Sequence, residues 1–487
     1  MKRVFLKFAG HLLVGCLATA CGSGAGAGAG SGSGQESALS ALTVTSGSLS
    51  PAFDPNVTDY SVTSMTSLYP VAVTATTLGP SATLTIHGAS AKSGVPSSFT
   101  LLPKEDFTVA VRAPAGESTT YTVHYLPPDF PAYTVSSSAG AGTEDVLLTA
   151  GNTYLLIVDR SGAPLYFRSF LPNQVLNFQQ HRLISDEIFY SAAVGMPTGA
   201  WSLGTDHLMD ATFHDVGDVH PLANEAHDDL QAEAHDFMLL DEDHYVTMSY
   251  VQRTVNLARY NPRWSSAAPV MNVIVQEVDH GVVLFEWDSG NVPSLYSDST
   301  DGNSFADNIV SDYLHLNSIE IDPEDGNFIF SLRHTNSVVK VDRTTAKILW
   351  TLGGAEDNFG LTSDQTFSHQ HDVRKEADGS LTVFDNGNNA HQTRAISFFL
   401  DELSKKVLSF RVIYGKPGDQ PQTSFMGSLR LLDTDRYMIG WGGGAGKDVS
   451  PAATEVLNGA PVWQLTFSSP TAFSYRAVPV DRSYRTQ

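Results

Sequence analysis

The chain has 487 residues, 42 % of them hydrophobic, with 29 Lys and Arg against 52 Asp and Glu. That is enough apolar material for a sizeable core and for two or three domains. A formal charge of −23 argues against nucleic acid as a partner, because phosphate binding needs a basic face; an anionic ligand held by a few buried basic residues stays open.

In chain order, Lys2, Arg3 and Lys7 precede an apolar run from Phe8 to Ala20. The pattern is that of an export signal and is too short for a permanent membrane span. It ends in Leu17-Ala-Thr-Ala-Cys21, followed by a Gly/Ser/Ala stretch. This resembles a bacterial lipoprotein site over residues 1–21, with Cys21 as the acylated residue. Leu13-Val-Gly-Cys16 fits the same pattern and is the second candidate. The expectation is an exported protein held to a lipid bilayer in the cell envelope, at the outer membrane or cell surface. Residues 22–36 read as a flexible tether. Cys16 and Cys21 are the only cysteines, so the body of the chain has neither disulfide nor thiolate chemistry.

Residues 37–128 read as an all-β sandwich. Leu39–Val44, Tyr60–Val62, Val71–Thr76, Ala82–His87, Phe107–Arg112 and Thr120–Tyr125 are β-branched or alternating runs, with Gly, Pro, Ser and Asn between them. The opening Leu42-Thr-Val-Thr-Ser-Gly-Ser-Leu-Ser-Pro and the closing Ser118-Thr-Thr-Tyr-Thr-Val resemble the bacterial cadherin-like β-sandwich. The segment reads as a spacer or interaction module. Pro127, Pro128 and Pro131 mark the boundary after it.

From Tyr133 to the C-terminus the pattern becomes repeated strand–turn–strand units. Tyr154–Phe167 and Val338–Trp350 are hairpins with an Asp-containing turn and an aromatic end. Two such strands cannot bury their own faces, so the units must pack on one another. Radial four-stranded blades, a β-propeller, satisfy that need. No three-turn helix is evident; the best short candidate is Asn224–Ala234. The residues around His207, His214, His220 and His227, with Asp206, Asp210, Asp215, Asp218 and Glu225, read as a long acidic loop over the channel mouth.

Three units begin alike: His235-Asp-Phe-Met, His315-Leu-Asn-Ser and His371-Asp-Val-Arg, each followed by a short strand, an acidic turn and a second strand. Equivalent positions near a propeller axis face one another, so the three imidazoles are expected to meet. Arg333 ends the strand after His315, and Asp385-Asn386-Gly387 holds the matching place in the next unit. A guanidinium beside imidazoles repels cations and suits an oxyanion. A repeated structural histidine bonding backbone between blades is the plainer alternative.

Asp312-Tyr-Leu-His-Leu-Asn-Ser-Ile, Gly326-Asn-Phe-Ile-Phe-Ser-Leu-Arg, Ile348-Leu-Trp-Thr-Leu-Gly-Gly, Phe367-Ser-His-Gln-His-Asp and Phe384-Asp-Asn-Gly resemble successive signatures of the arylsulfotransferase family. The resemblance implies a six-bladed propeller that moves a sulfuryl group between phenols, without nucleotide donor or cofactor, through a sulfated histidine. Its partners would be small aromatic sulfate esters and phenols. Carried onto this chain, His371 is the nucleophile, with His369 as the alternative alignment. His315 and Asn317 lie in the anion site, Arg333 binds the sulfuryl oxygens, and His235 completes the cluster. One departure is the absence of cysteines from the mature chain, which better-studied members carry. The chemistry suits the residues. A neutral imidazole is a nucleophile near pH 7, and a second can protonate the departing phenolate, giving ping-pong kinetics.

Two other readings stand beside this one. The dense His/Asp/Glu stretch from 206 to 235 could bind a transition metal, although its spacing follows no familiar ligand motif. A non-catalytic propeller could bind a ligand at the cell surface. The Gly-rich Trp350–Gly354 and Gly440–Gly444 segments read as tight turns, since neither precedes a helix or carries a P-loop lysine.

Overall fold

Turn residues every eight to twelve positions break this chain into short strands, and the computed structural model pairs nearly all of them. It describes residues 36–480, apart from Ser46, 198–201, Gly302, 389–391, 416–420 and 445–450. Cys16 and Cys21, and with them the export and acylation readings, lie outside the described residues.

The N-terminal part is a sandwich. One sheet holds Leu39–Val44, Val71–Thr77 and Ser97–Phe99. The other runs Leu49–Ser50, Asp59–Val62, Ser118–His124, Phe107–Arg112, Thr83–Ile86 and Ala89–Ala91 in spatial order. Strict alternation sends Val71, Val73, Phe107, Val109, Val111, Tyr121 and Val123 into one buried core. The strand Ser64–Thr66 leaves the sandwich and pairs antiparallel with Pro164–Ser169, placing Met65 opposite Phe167. Tyr125 Oη donates to the Pro164 carbonyl at 3.0 Å. The sandwich is therefore fixed to its neighbour by backbone pairing and a continuous core, rather than strung out as a free spacer.

The rest is a propeller. Among the described residues, six sheets of four or five strands follow in chain order, with one two-stranded ribbon. Ring closure uses both ends. Ala477–Val480, the last described strand, pairs with Asp145–Ala150 as the first strand of the first sheet. Tyr133–Ser137 pairs with Ala460–Phe467 at the outer edge of the last sheet. Each end of the ring completes a sheet begun at the other.

The inner strands are joined by a repeated side-chain-to-backbone bond. Asp236 accepts from Ile319 N at 2.8 Å, Ser318 from Val373 N at 3.0 Å, Asp372 from Leu429 N at 3.0 Å and Ser428 from Ala477 N at 3.1 Å. Strand edges that a ladder would leave open are thus satisfied between sheets. Two members carry charge. Asp236 meets Arg374 and Arg476, each at 2.7 Å; Asp372 meets Arg374 at 3.0 Å, Arg476 at 3.2 Å and Arg430. All but Arg430 are buried. Burial would raise the Asp236 carboxyl, but Arg374 and Arg476 outweigh it and hold it down to about 2.

Two expectations are corrected. The acidic stretch is no loop over the channel mouth: Ser202–Asp210 and Asp215–Val219 form a hairpin at the outer edge of the second sheet. Asp215–Val219 exposes its first four residues, as suits a strand paired along one edge only. The helix candidate Asn224–Ala234 is a bridged turn at Asn224 and His227 and a short strand, Ala232–Glu233. The helical turn lies instead at Ser294–Asp298.

Removing one partner of a buried ion cluster strands charge and costs about 3–5 kcal/mol, whereas one neutral hydrogen bond is worth about 1 kcal/mol. Asp372→Ala is expected to lower the chemical-denaturation midpoint several times further than Ser428→Ala. Equal losses would show that the charged members carry no special share.

Candidate active site

The three matched histidines sit where the inner strands begin. His371 opens His371–Lys375, His315 precedes Leu316–Ile321, and His235 precedes Met238–Asp241. His235 and His371 are each followed by a carboxylate of the buried ion cluster, Asp236 and Asp372, so their backbones are anchored below the imidazoles. His315 turns through a left-handed backbone, with φ at 53°.

The structure brings the imidazoles together. His235 Nε2 and His315 Nε2 are 3.2 Å apart, with rings nearly perpendicular at 82°. The His371 ring lies 6.5 Å from that of His235. All three are buried. Arg333 adjoins the cluster: its Nη1 is 2.6 Å from His334 Nε2 and its Nη2 donates to the Ser424 carbonyl at 3.0 Å.

Each imidazole is committed at Nδ1 and presents Nε2 to the channel. Glu233 holds His235 at 2.6 Å, Asp312 holds His315 at 2.6 Å, and Asn386 Oδ1 holds His371 at 2.8 Å. Asn386 Nδ2 donates to the Thr423 and Met426 carbonyls, both at 3.1 Å. Its oxygen is therefore the atom facing His371, which fixes the proton on His371 Nδ1 and leaves Nε2 with a lone pair. In the structure Met426 N–H points at that lone pair, at 3.1 Å. Burial, and next the Arg333 guanidinium, hold the His371 pKa well below the usual histidine value. Burial also lowers His315, helped by His334 and His235. With both flanking Nδ1 atoms tied to carboxylates, the short Nε2–Nε2 contact between His235 and His315 is a hydrogen bond only when the pair holds one extra proton.

Asn317 stands in the wall rather than in the cluster. Its Nδ2 donates to the Gln370 carbonyl at 2.8 Å, and its backbone carbonyl accepts from Arg476 at 3.2 Å. His369, the alternative to His371, pairs with Asp301 at 2.7 Å and with Ser368. The groups not singled out in the sequence form a second layer. They are Glu233, Asp312, Asp301, His334, Tyr250 and Tyr475. Glu233 and Asp312 lie two and three residues before their histidines, a local signal that could have found them. Asp301, which bonds both His334 and His369, comes from a distant loop and leaves no such trace. Tyr250 stacks on His235 at 5.9 Å, and Tyr475 Oη donates to the His235 carbonyl at 2.9 Å.

The other dense histidines do not gather. His207 is held between Asp218 and Asp215, His214 pairs with Asp210, and His227 accepts from Arg253. Asp312, His315 and His334 present close ligand atoms, but the Arg333 guanidinium against His334 opposes a cation. Asp322, Asp325 and Glu402 surround Lys340 Nζ at 2.7–2.8 Å, so an ammonium already fills that acidic group. Gly353 and Gly354, with φ of 76° and 67°, form the tight turn expected after Trp350.

The model of the Arylsulfotransferase (ASST) family matches residues 224–476, just over half of the chain. The cadherin-like beta sandwich domain matches residues 39–126. Among solved structures, a protein of unknown function from Bacteroides caccae is similar at 13 % identity, covering 70 % of this chain and 100 % of its own, with a TM-score of 0.44. A quinonprotein alcohol dehydrogenase-like protein from Bacteroides thetaiotaomicron is similar at 10 % identity, covering 89 % and 99 %, with a TM-score of 0.36. No curated protein matches the sequence.

In Asn386→Asp a carboxylate would face His371 Nδ1 and favour the charged ring. Histidine-selective NMR titration is expected to show His371 neutral to well below pH 6.5 in the parent and charging at higher pH in the variant. Coincident titrations would mean that Asn386 does not set the ring's state.

Proposed function

The chain belongs to the arylsulfotransferase family, and on that premise we propose that it transfers a sulfuryl group from an aryl sulfate to a phenol through a sulfated His371. The observation that carries the reading is the proton-free Nε2 of His371, locked in that tautomer by Asn386 and set among a guanidinium and two further imidazoles.

The steps follow from the geometry. His371 Nε2 attacks sulfur in line, the S–O bond to the aryl group breaks, and the phenolate leaves with the proton held between His235 and His315. Arg333 balances charge on the sulfuryl oxygens, as guanidinia do in phosphoryl transfer. An acceptor phenol then returns a proton to the pair and attacks sulfur, the N–S bond breaks, and His371 regains its lone pair. Glu233 and Asp312 keep the pair's Nδ1 protons in place through both halves. The buried Asn317, two residues beyond His315, fits an anion-binding role when its side-chain amide turns so that Nδ2 faces the substrate and Oδ1, unpartnered here, faces the wall. Acylation at Cys21 would place this chemistry at an envelope membrane.

Removing a nucleophile costs on the order of 10⁴-fold or more, and removing one charge-stabilising donor about 10²–10³-fold. His371→Asn is expected to abolish transfer from 4-nitrophenyl sulfate to phenol and all acid-labile labelling of the protein, and Arg333→Ala to cut kcat by the smaller factor. Wild-type rates in His371→Asn would sink the mechanism, and a protein that is never labelled would indicate a binding module.

The pH profile carries a sign. A folded pKa pushed down keeps His371 neutral as pH falls through 6.5, so the limb it sets in kcat/KM for the donor is expected well below pH 6.5. A limb near 6.5 that vanishes in His371 variants would contradict this.

A further inference from the structure

We propose that the segment Ser424–Gly427 is a displaceable stand-in for the aryl sulfate, and that the surface beneath the Met426 side chain is where the aryl ring binds; this rests on the sulfuryl-transfer reading. Three parts of the segment each occupy a place that such a substrate needs. The Ser424 carbonyl oxygen accepts from Arg333 Nη2 at 3.0 Å, as a sulfuryl oxygen would. Met426 N–H caps the lone pair of His371 Nε2 at 3.1 Å. The Met426 side chain packs on the buried Leu176, Ala193, Ala234 and Tyr475.

That apolar patch is drawn from the second sheet, the approach to the third and the closing segment. Leu176 and Ala193 lie in the second sheet, Ala234 directly precedes His235, and Tyr475 bonds the His235 carbonyl. Met426 therefore reaches across the channel beside the nucleophile. A flat apolar ring joined to an anionic group would satisfy the same patch and the same guanidinium at once. Thioether side chains fill such surfaces without tight shape specificity.

The closed position is held under tension. Met426 has φ at 63°, a left-handed conformation that an L side chain adopts at a cost. Its neighbour Gly427, with φ at 107°, lies so close to the Phe384 ring that a Cβ would meet it at 2.2 Å. Against this stand the bonds from Asn386 and Asn388 to the Met426 and Ser424 carbonyls and the bond from Gly427 N to the Tyr475 carbonyl at 3.1 Å. A segment closed by exchangeable hydrogen bonds and opposed by its own backbone can be displaced by a ligand that replaces those bonds.

The test uses 4-nitrobenzenesulfonate, whose carbon–sulfur bond cannot transfer. Calorimetry is expected to show Met426→Ala binding it about fivefold tighter than the parent, because the competing side chain is gone. Met426→Gly loses the same side chain but relaxes the left-handed backbone, so it is expected to bind about fivefold more weakly than Met426→Ala. Hydrogen exchange on the unaltered protein is expected to quicken in the peptide spanning 423–429 on saturation with the sulfonate. An alanine variant that binds no tighter, or exchange that slows or stays unchanged, overturns the proposal. Tighter sulfonate binding in Met426→Ala, with no transfer from 4-nitrophenyl sulfate even by the parent, would uphold the stand-in and overturn the transferase reading instead.

Discussion

The ion cluster of Asp236, Asp372, Arg374, Arg430 and Arg476 underlies the structure. Charges removed from water at the centre of a ring are stabilised only by one another. Here the partners come from the third, fifth and sixth sheets and from the closing segment at Arg476. Each carboxylate also accepts a backbone N–H from the next sheet. One arrangement of sheets satisfies all of these groups together, so register around the ring is fixed by electrostatics as much as by apolar packing. His235 and His371 immediately precede these two aspartates in sequence, which makes the separation of their imidazoles a consequence of the cluster.

Above that base, the three imidazoles differ in what holds their Nδ1 atoms. Carboxylates tie down the Nδ1 atoms of His235 and His315, and a neutral amide ties down His371. A carboxylate partner favours an imidazolium, whereas an amide oxygen does not. The arrangement thus sets two carboxylate-held rings beside one amide-held ring whose Nε2 carries a lone pair. Burial and the Arg333 guanidinium push the same way at His371.

Much of this was legible in the sequence because it is periodic. Alternating runs such as Phe107–Arg112 and hairpins such as Val338–Trp350 announced strands, and the matched His235, His315 and His371 announced a shared axis. Glu233, Asp312 and Asn386 sat within a few residues of motifs already in view. What stayed hidden depends on chain crossings without a repeat. Asp301 reaches two histidines from a loop, and Met426 reaches His371 through a backbone amide, which any residue type supplies. The stretch from 206 to 225 misled because histidine and aspartate density suggests a site, whereas an exposed edge hairpin accepts the same composition by pairing His207 and His214 with nearby carboxylates. The strand Ser64–Thr66 was hidden for a similar reason: three residues carry no readable period, and their partner lies about a hundred positions away.

The interlocked ends of the ring bear on how the protein comes into being. Arg476, which pairs with both buried aspartates, and Tyr475, which braces His235, lie C-terminal to every other residue of the site. A ribosome releases them after every other part of the site. Until then Asp236 and Asp372 lack one of their counter-charges and the first sheet lacks its first strand, so the centre around which the ring closes is incomplete. The imidazole cluster is accordingly braced only once the chain through Arg476 is present, and a product ended before it presents an open ring.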